Sequence, residues 1–306
     1  MLERHSYRIT AYILAWTGAC LAALKPILIK LLFEESVSTN TVLFIRTIFS
    51  LPIYLIVAAY YFSCRRSFLP NKSQWKSLII LGFIGYYLAS LLDLVGLRYI
   101  TASLEVLVLF LYPTLVTVFS YLVYKEKTSR SVLSALVLSY AGIFIAFAGD
   151  ENIEKNYNLV IGGAFVFSSA ICFSVYVLLS GQLVKSLGSM VVSSTTMLFS
   201  SLFVFIHFFV TESFNIYDSL NLSLNSYALL ALLSIVCTAL PIFLLLESVK
   251  RIGAVKTSIT GCVSPVLTII FASRILSESV TNTQILGTVL VLAGAGYLVT
   301  IKSKTA

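Results

Sequence analysis

The sequence predicts an all-α polytopic membrane protein of ten transmembrane helices, arranged as two inverted five-helix repeats. Three observations predict it: apolar runs recur along the whole chain, charge is scarce and segregated, and one half of the sequence returns in the other. Of 306 residues, 58% are hydrophobic and 11% charged, with a mean hydropathy of +0.96. A soluble domain carries about 25% charged residues, so this chain cannot cover itself with solvated surface. Apolar runs of about twenty residues each reach across ~30 Å of hydrocarbon as a helix.

The ten spans fall near residues 8–32, 41–62, 75–97, 101–123, 131–149, 159–182, 188–210, 226–249, 254–274 and 283–301. The first follows "MLERHSYR"; it is too long for a signal-peptide core and lacks a small-residue cleavage site, so it is expected to stay in the membrane. Spans 1, 2, 4, 8 and 9 carry prolines (Pro26, Pro52, Pro113, Pro241, Pro265), each of which removes a backbone hydrogen bond and kinks its helix. Spans 5 and 10 have small residues instead, among them Ala141, Gly142, Gly287, Ala293 and Gly294, and read as close-packed scaffold or dimer faces. Linkers are short, and the longest on one side, Thr211 to Asn225, has no Lys or Arg.

Charge orients the spans. Fifteen cations (Arg4, Arg8, Arg65, Arg66, Lys72, Lys76, Lys125, Lys127, Arg130, Lys185, Lys250, Arg251, Lys256, Lys302 and Lys304) fall on the side of the termini. Four, Lys30, Arg98, Lys155 and Arg274, fall on the other. The positive-inside rule places both termini in the cytoplasm. The net charge of +8 reflects this asymmetry, and nucleic acid is not an expected partner.

The repeat is read from "LYPTLVTVFSYLVYKEK" and "VSPVLTIIFASRILSES". Pro113 and Pro265 are 152 residues apart (265 − 113), as are Glu126 and Glu278. Lys125 and Lys127 return as Ser277 and Ser279 because an odd number of spans inserts the second copy upside down, where cations would oppose its orientation. The halves are expected to be 1–150 and 151–306. Inverted repeats around a midplane site are the architecture of secondary carriers.

The paired segments "LRYITASLEVLVLFLYPTLVTVFSYLVYKEK" and "VKRIGAVKTSITGCVSPVLTIIFASRILSES" resemble the EamA-like carriers of the drug/metabolite transporter superfamily. The resemblance covers essentially the whole chain. It implies a ring of spans 1–4 and 6–9 around a central cavity, with spans 5 and 10 as supports. It also implies transport of small organic solutes, with amino acids or related metabolites ahead of nucleoside-like compounds. A multi-pass protein of a bacterial inner membrane, a monomer or homodimer, is the matching expectation.

Enzyme chemistry has little to stand on. With only His5 and His207 there is no HExxH helix; a P-loop is missing, as is a GxSxG elbow. The odd count of five cysteines gives no disulfide framework and no zinc spacing. No cofactor or metal is expected. Ionisable residues inside spans cost a few kcal/mol each facing lipid, so Lys25, Arg46, Asp93 and Glu105 are expected to pair in the interior as a gate, a proton-coupling group or a static lattice. Midplane polar and aromatic residues are the expected substrate-binding set: Trp16, Gly18, Tyr86, Tyr87, Ser90, Tyr112, Ser168, Ser169, Cys172, Tyr176, Thr238, Thr260 and Ser264. Pro113 and Pro265 are the expected hinges. Glu247 reads as an interfacial pair with Lys250 and Arg251, and His207 as a hydrogen-bonded packing residue.

Overall fold

The computed structural model describes residues 2–64, 70–124, 130–148, 157–212, 216–261 and 263–304. In chain order the helices are α1 (Ile9–Glu34), α2 (Thr39–Ser63), α3 (Lys72–Leu97), α4 (Ala102–Val123), α5 (Arg130–Ala148), α6 (Asn158–Leu187), α7 (Ser189–Thr211), α8 (Leu224–Ile252), α9 (Ala254–Ile275) and α10 (Asn282–Lys304). Among the described residues, eight are long and apolar enough to cross a membrane, all but α5 and α10. The chain is an integral multi-pass membrane protein. The sequence predicts ten such spans; the described side chains of α10 give an apolar stretch over Asn282–Gly294, and the rest of that span, like part of α5, lies outside the residues described in full. Arg65, Arg66, Lys125, Glu126, Lys127, Asp150, Glu151, Glu154, Lys155 and Cys262 also lie outside them.

Four of the proline-bearing helices depart from regular α geometry, as missing amide donors require. In α1 the turn at Ala23–Leu24 precedes Lys25-Pro26, and in α4 Phe110–Leu111 precedes Tyr112-Pro113. In α9 the helix stops at Thr260 and resumes at Val263, two residues before Pro265. α8 widens into a π-helix at Ile235–Ala239 just before Pro241, and α3 does so at Gly82–Leu88 without a proline. Hydroxyls add bonds to carbonyls at or near the breaks: Thr268 Oγ1 donates to the Ala23 carbonyl at 2.8 Å, Tyr112 Oη to that of Ser258 at 3.0 Å, and Thr114 Oγ1 to that of Leu111 at 2.6 Å.

The apolar core is split. One cluster, with Tyr54, Leu78, Val184, Leu187, Val191 and Leu246, fills the end of the bundle that carries the α6–α7 turn. The other, with Ile29, Leu32, Phe44, Leu94, Phe208 and Leu230, fills the end that carries the α3–α4 turn; there the Phe44 and Phe208 rings stack at 3.9 Å. A cavity lies between the two. Outside this ring, α5 packs along α10 so closely that a Cβ on Gly142 would sit 2.6 Å from the Gly287 carbonyl oxygen. Backbones approach this far only where side chains are absent.

Polar contacts close both ends. At the α3–α4 end Glu278 caps the first turn of α4, accepting from Ala102 N at 2.8 Å, Ser103 N at 3.1 Å and Ser103 Oγ at 2.7 Å. The carboxylate thus meets amides that have no partner within the helix, at its positive pole. Glu35 there accepts from Ser226, Asn225 and Ser223. At the other end Glu247 pairs with Arg251 at 2.7 Å and accepts from Ser189, as the sequence leads one to expect of an interfacial acid.

Candidate functional site

Six helices and one side chain of a seventh enclose a cavity of about 200 Å³. α3 supplies Tyr86, Ser90 and Asp93, spaced i, i+4 and i+7 so that all three share one helical face. α4 contributes Glu105 from its first turn and Phe110 and Tyr112 from its break. α9 adds Thr257, Gly261, Ser264 and Thr268, and α1 adds Ala15, Gly18, Ala22 and Lys25, again along single faces. α6 gives Ser169 and Phe173, α8 gives Thr238, Pro241 and Leu245, and α2 reaches in with Arg46 alone. The lining is mostly carbon, so its charged groups sit in a low-dielectric surround where electrostatic interactions are strong.

Lys25 Nζ lies 2.6 Å from Asp93 Oδ2 and 3.9 Å from Glu105 Oε1. Asp93 is 2% exposed and Glu105 1%. Neither Glu105 oxygen has a hydrogen-bond partner among the described residues, and Asp93 Oδ1 has none either. Buried polar atoms are rarely left so. Arg46 is 6% exposed; it interacts electrostatically with Asp93 and Tyr54, and among the described residues no hydrogen bond or ion pair reaches its guanidinium. The four charges balance in number while their contacts do not: the lysine holds an aspartate, and a glutamate and an arginine stand with unused capacity.

The structure brings together Lys25, Arg46, Asp93, Glu105, Tyr86, Ser90, Tyr112, Thr238 and Ser264 of the residues singled out in the sequence, with Gly18 and Ser169. It separates the others. Trp16 is 54% exposed on the outer face of α1, one position past Ala15. Tyr87 turns away from Tyr86 and meets His207 Nδ1 at 3.1 Å, while His207 Nε2 lies 3.3 Å from Asn40 Oδ1. Ser168 and Cys172 flank the lining positions Ser169 and Phe173, and the Ser168 hydroxyl donates to its own helix at Ala164. Thr260 likewise bonds the Lys256 carbonyl and sits beside Gly261. Tyr176 is fully buried behind the cavity, its ring 4.6 Å from that of Tyr86. Five of these six are one residue off the lining face, and one residue on a helix is a rotation of about 100°. Thr257, Gly261, Thr268, Phe110 and Phe173 line the cavity without having been singled out. For the three on α9 the spacing 257, 261, 264, 268 is the signal.

Pro113 and Pro265 are both buried, each in the segment that resumes after a break. Gly85 has a role here too: a Cβ built on it would lie 2.5 Å from Tyr176 Cγ, so only glycine lets the π-helical turn of α3 lie against that ring.

Comparison with known proteins agrees with this architecture. A Bacillus subtilis protein named uncharacterized transporter YcbK is 26% identical over 275 residues, covering 88% of this chain and 86% of its own. The Salmonella typhimurium protein named uncharacterized inner membrane transporter YicL is 25% identical over 241 residues, 78% of this chain and 77% of its own. One crystal structure superposes with a TM-score of 0.67 at 14% identity, covering 96% of this chain and 98% of that one, a likeness of fold. The model of the EamA-like transporter family matches twice, over residues 9–148 and 160–300. With relatives named as transporters along most of its length and a family model over both halves, the chain is a membrane transporter and belongs to the EamA-like transporter family.

Proposed function

We propose that the protein is a secondary carrier that moves a small organic metabolite, an amino acid or a related solute, through the central cavity by alternating access. The observation that carries this reading is the cavity itself, with Lys25, buried Arg46, and buried Asp93 and Glu105 whose oxygens are incompletely hydrogen-bonded, beside Tyr86, Ser90, Tyr112, Thr238 and Ser264. Both signs of charge suit a zwitterion. The rings of Tyr86, Phe110, Tyr112 and Phe173 suit an apolar body. At about 200 Å³ the space is smaller than the roughly 300–1,000 Å³ of pockets for drug-sized ligands, which favours an amino acid over a nucleotide derivative.

Two inverted halves, 1–150 and 151–306, supply the moving parts in this reading. The 152-residue offset carries the π-helix of α8, Ile235–Ala239, onto positions 83–87, inside that of α3. It carries the break before Val263 onto that before Pro113. Matched weak points in paired helices are what rocking of one half against the other needs, and Pro113 and Pro265 are the proposed hinges. The fifteen cations on the terminal side support cytoplasmic termini, and the name of the Salmonella relative supports a bacterial inner membrane.

Counterflow in proteoliposomes tests the reading. Vesicles preloaded with pooled amino acids, and separately with pooled nucleosides, receive trace labelled solute outside. Transient accumulation from the amino-acid pool is the expected result. Accumulation from the nucleoside pool alone would reassign the substrate, equilibration without overshoot would mark a pore, and no flux from either would remove the assignment.

A further inference from the structure

We propose that Arg46 forms an anion-binding subsite at the side of the central cavity, built to seat the carboxylate of the transported solute; the solute's part in this rests on the carrier reading above. Arg46 borders both the main cavity and a side cavity of about 20 Å³. A space of roughly 10–15 Å³ admits one water-sized group, so the side cavity admits a small charged head while the main cavity holds the body. Its walls are rich in hydroxyls: Ser50, Tyr86, Ser90, Ser200, Ser201 and Thr238.

Those hydroxyls are not equally free. Ser50, Ser201 and Thr238 donate to carbonyls of their own helices, at 3.0, 2.8 and 2.9 Å. The Tyr86 hydroxyl, in a side chain 8% exposed, has no partner among the described residues. No bond of Ser90 or Ser200 occupies their hydroxyls among those residues either. Three hydroxyls and Arg46 therefore line one small space with donor capacity unused and no carboxylate among its walls. Asp93, the carboxylate whose field Arg46 feels, gives its close contact to Lys25. A buried cation without a contact partner is strongly disfavoured, and Asp93, held by Lys25, compensates the charge of Arg46 without meeting its hydrogen-bond donors. An anion meets those donors, and a carboxylate presents the two acceptor oxygens that a guanidinium fork fits. Glu105, whose oxygens have Lys25 at 3.9 Å but no hydrogen-bond donor among the described residues, then stands in the same cavity for a cationic end of the same molecule.

Thermal unfolding of the detergent-purified full chain tests this without needing transport. In isethionate, whose anion is too bulky for the side cavity, the midpoint is measured with added acetate, acetamide or chloride. Acetate is expected to raise it by at least about 2 °C at saturation and acetamide not at all. Arg46→Gln is expected to abolish the rise. Should that variant not fold, Ser200→Ala, which removes one donor, is expected to shift the acetate titration to higher concentration. A rise with chloride and none with acetate keeps the anion site and assigns it to an inorganic ion rather than the solute. Equal rises with acetate and acetamide, no rise with any anion, or a rise undiminished in Arg46→Gln would overturn the proposal. Absence of counterflow beside an intact acetate effect would count against the carrier reading instead.

Discussion

Lys25 holds more of the site together than its single short contact implies. It is the cation in contact with both Asp93 and Glu105. Lys25→Met leaves two buried carboxylates facing each other, and breaking a buried pair from one side costs about 3–5 kcal/mol. The expected outcome is a large fall in unfolding midpoint in detergent, with Lys25→Met/Asp93→Asn recovering much of it. A double variant no better than the single would mean that the pair is not coupled. Gly85→Ala forces the Tyr176 ring to move and is expected to destabilise by about 1–3 kcal/mol, read by the same melt. At the surface, hydrogen bonds from Ser226, then Asn225, hold the fully exposed Glu35 carboxyl below the usual glutamate range. A carboxyl lowered by folding contributes stability that is present above its unfolded value and lost as pH falls through its folded one. Amide exchange at Ser223–Ser226 is therefore expected to rise on acidification below the glutamate range, and Glu35→Gln to flatten that dependence.

At the scale of an element, the first turn of α4 is organised from outside. Its own Thr101 accepts from Leu104 N at 3.2 Å, and Glu278, arriving after α9, takes the two amides before it. Hydrogen bonds to a charged group contribute about 1.5–3 kcal/mol, so Glu278→Ala is expected to speed amide exchange at Ala102 and Ser103 while sparing α7. Unchanged exchange there would show that Thr101 suffices. The repeated glutamate thus has a visible purpose in one copy: it finishes a helix that belongs to the other half. Its counterpart Glu126 lies outside the described residues.

For the whole molecule, the division between lining and outer faces makes a test of its own. In a background with all five cysteines replaced, single cysteines at Tyr112 and Ser264 are expected to react with a water-soluble thiol reagent in membranes, and to be protected by the transported solute. Cysteines at Trp16 and Thr260 are expected to react slowly and without protection. Equal labelling at all four would dissolve the cavity as described.

Hydrophobic runs and the scarcity of charge determined by themselves that this is a multi-pass helical membrane protein, since lipid leaves a backbone no other way to satisfy its polar groups along a single segment. The family was legible in the paired proline and glutamate segments for the same kind of reason: helix breaks and capped ends need particular residues at fixed places. The charged residues of the site were legible because an ion within a span has to find company away from lipid. Rotation was not. Tyr86 and Tyr87, Ser168 and Ser169, and Thr260 and Gly261 are adjacent pairs of which one member lines the cavity. Which one it is depends on where breaks and π-turns reset the helical register and on which faces the neighbouring helices cover. Those are contacts between distant segments, as between Gly85 and Tyr176 or between Tyr112 and Ser258. Only the packed bundle decides them, because a helix of uniformly apolar residues carries no stripe to say which side is inward.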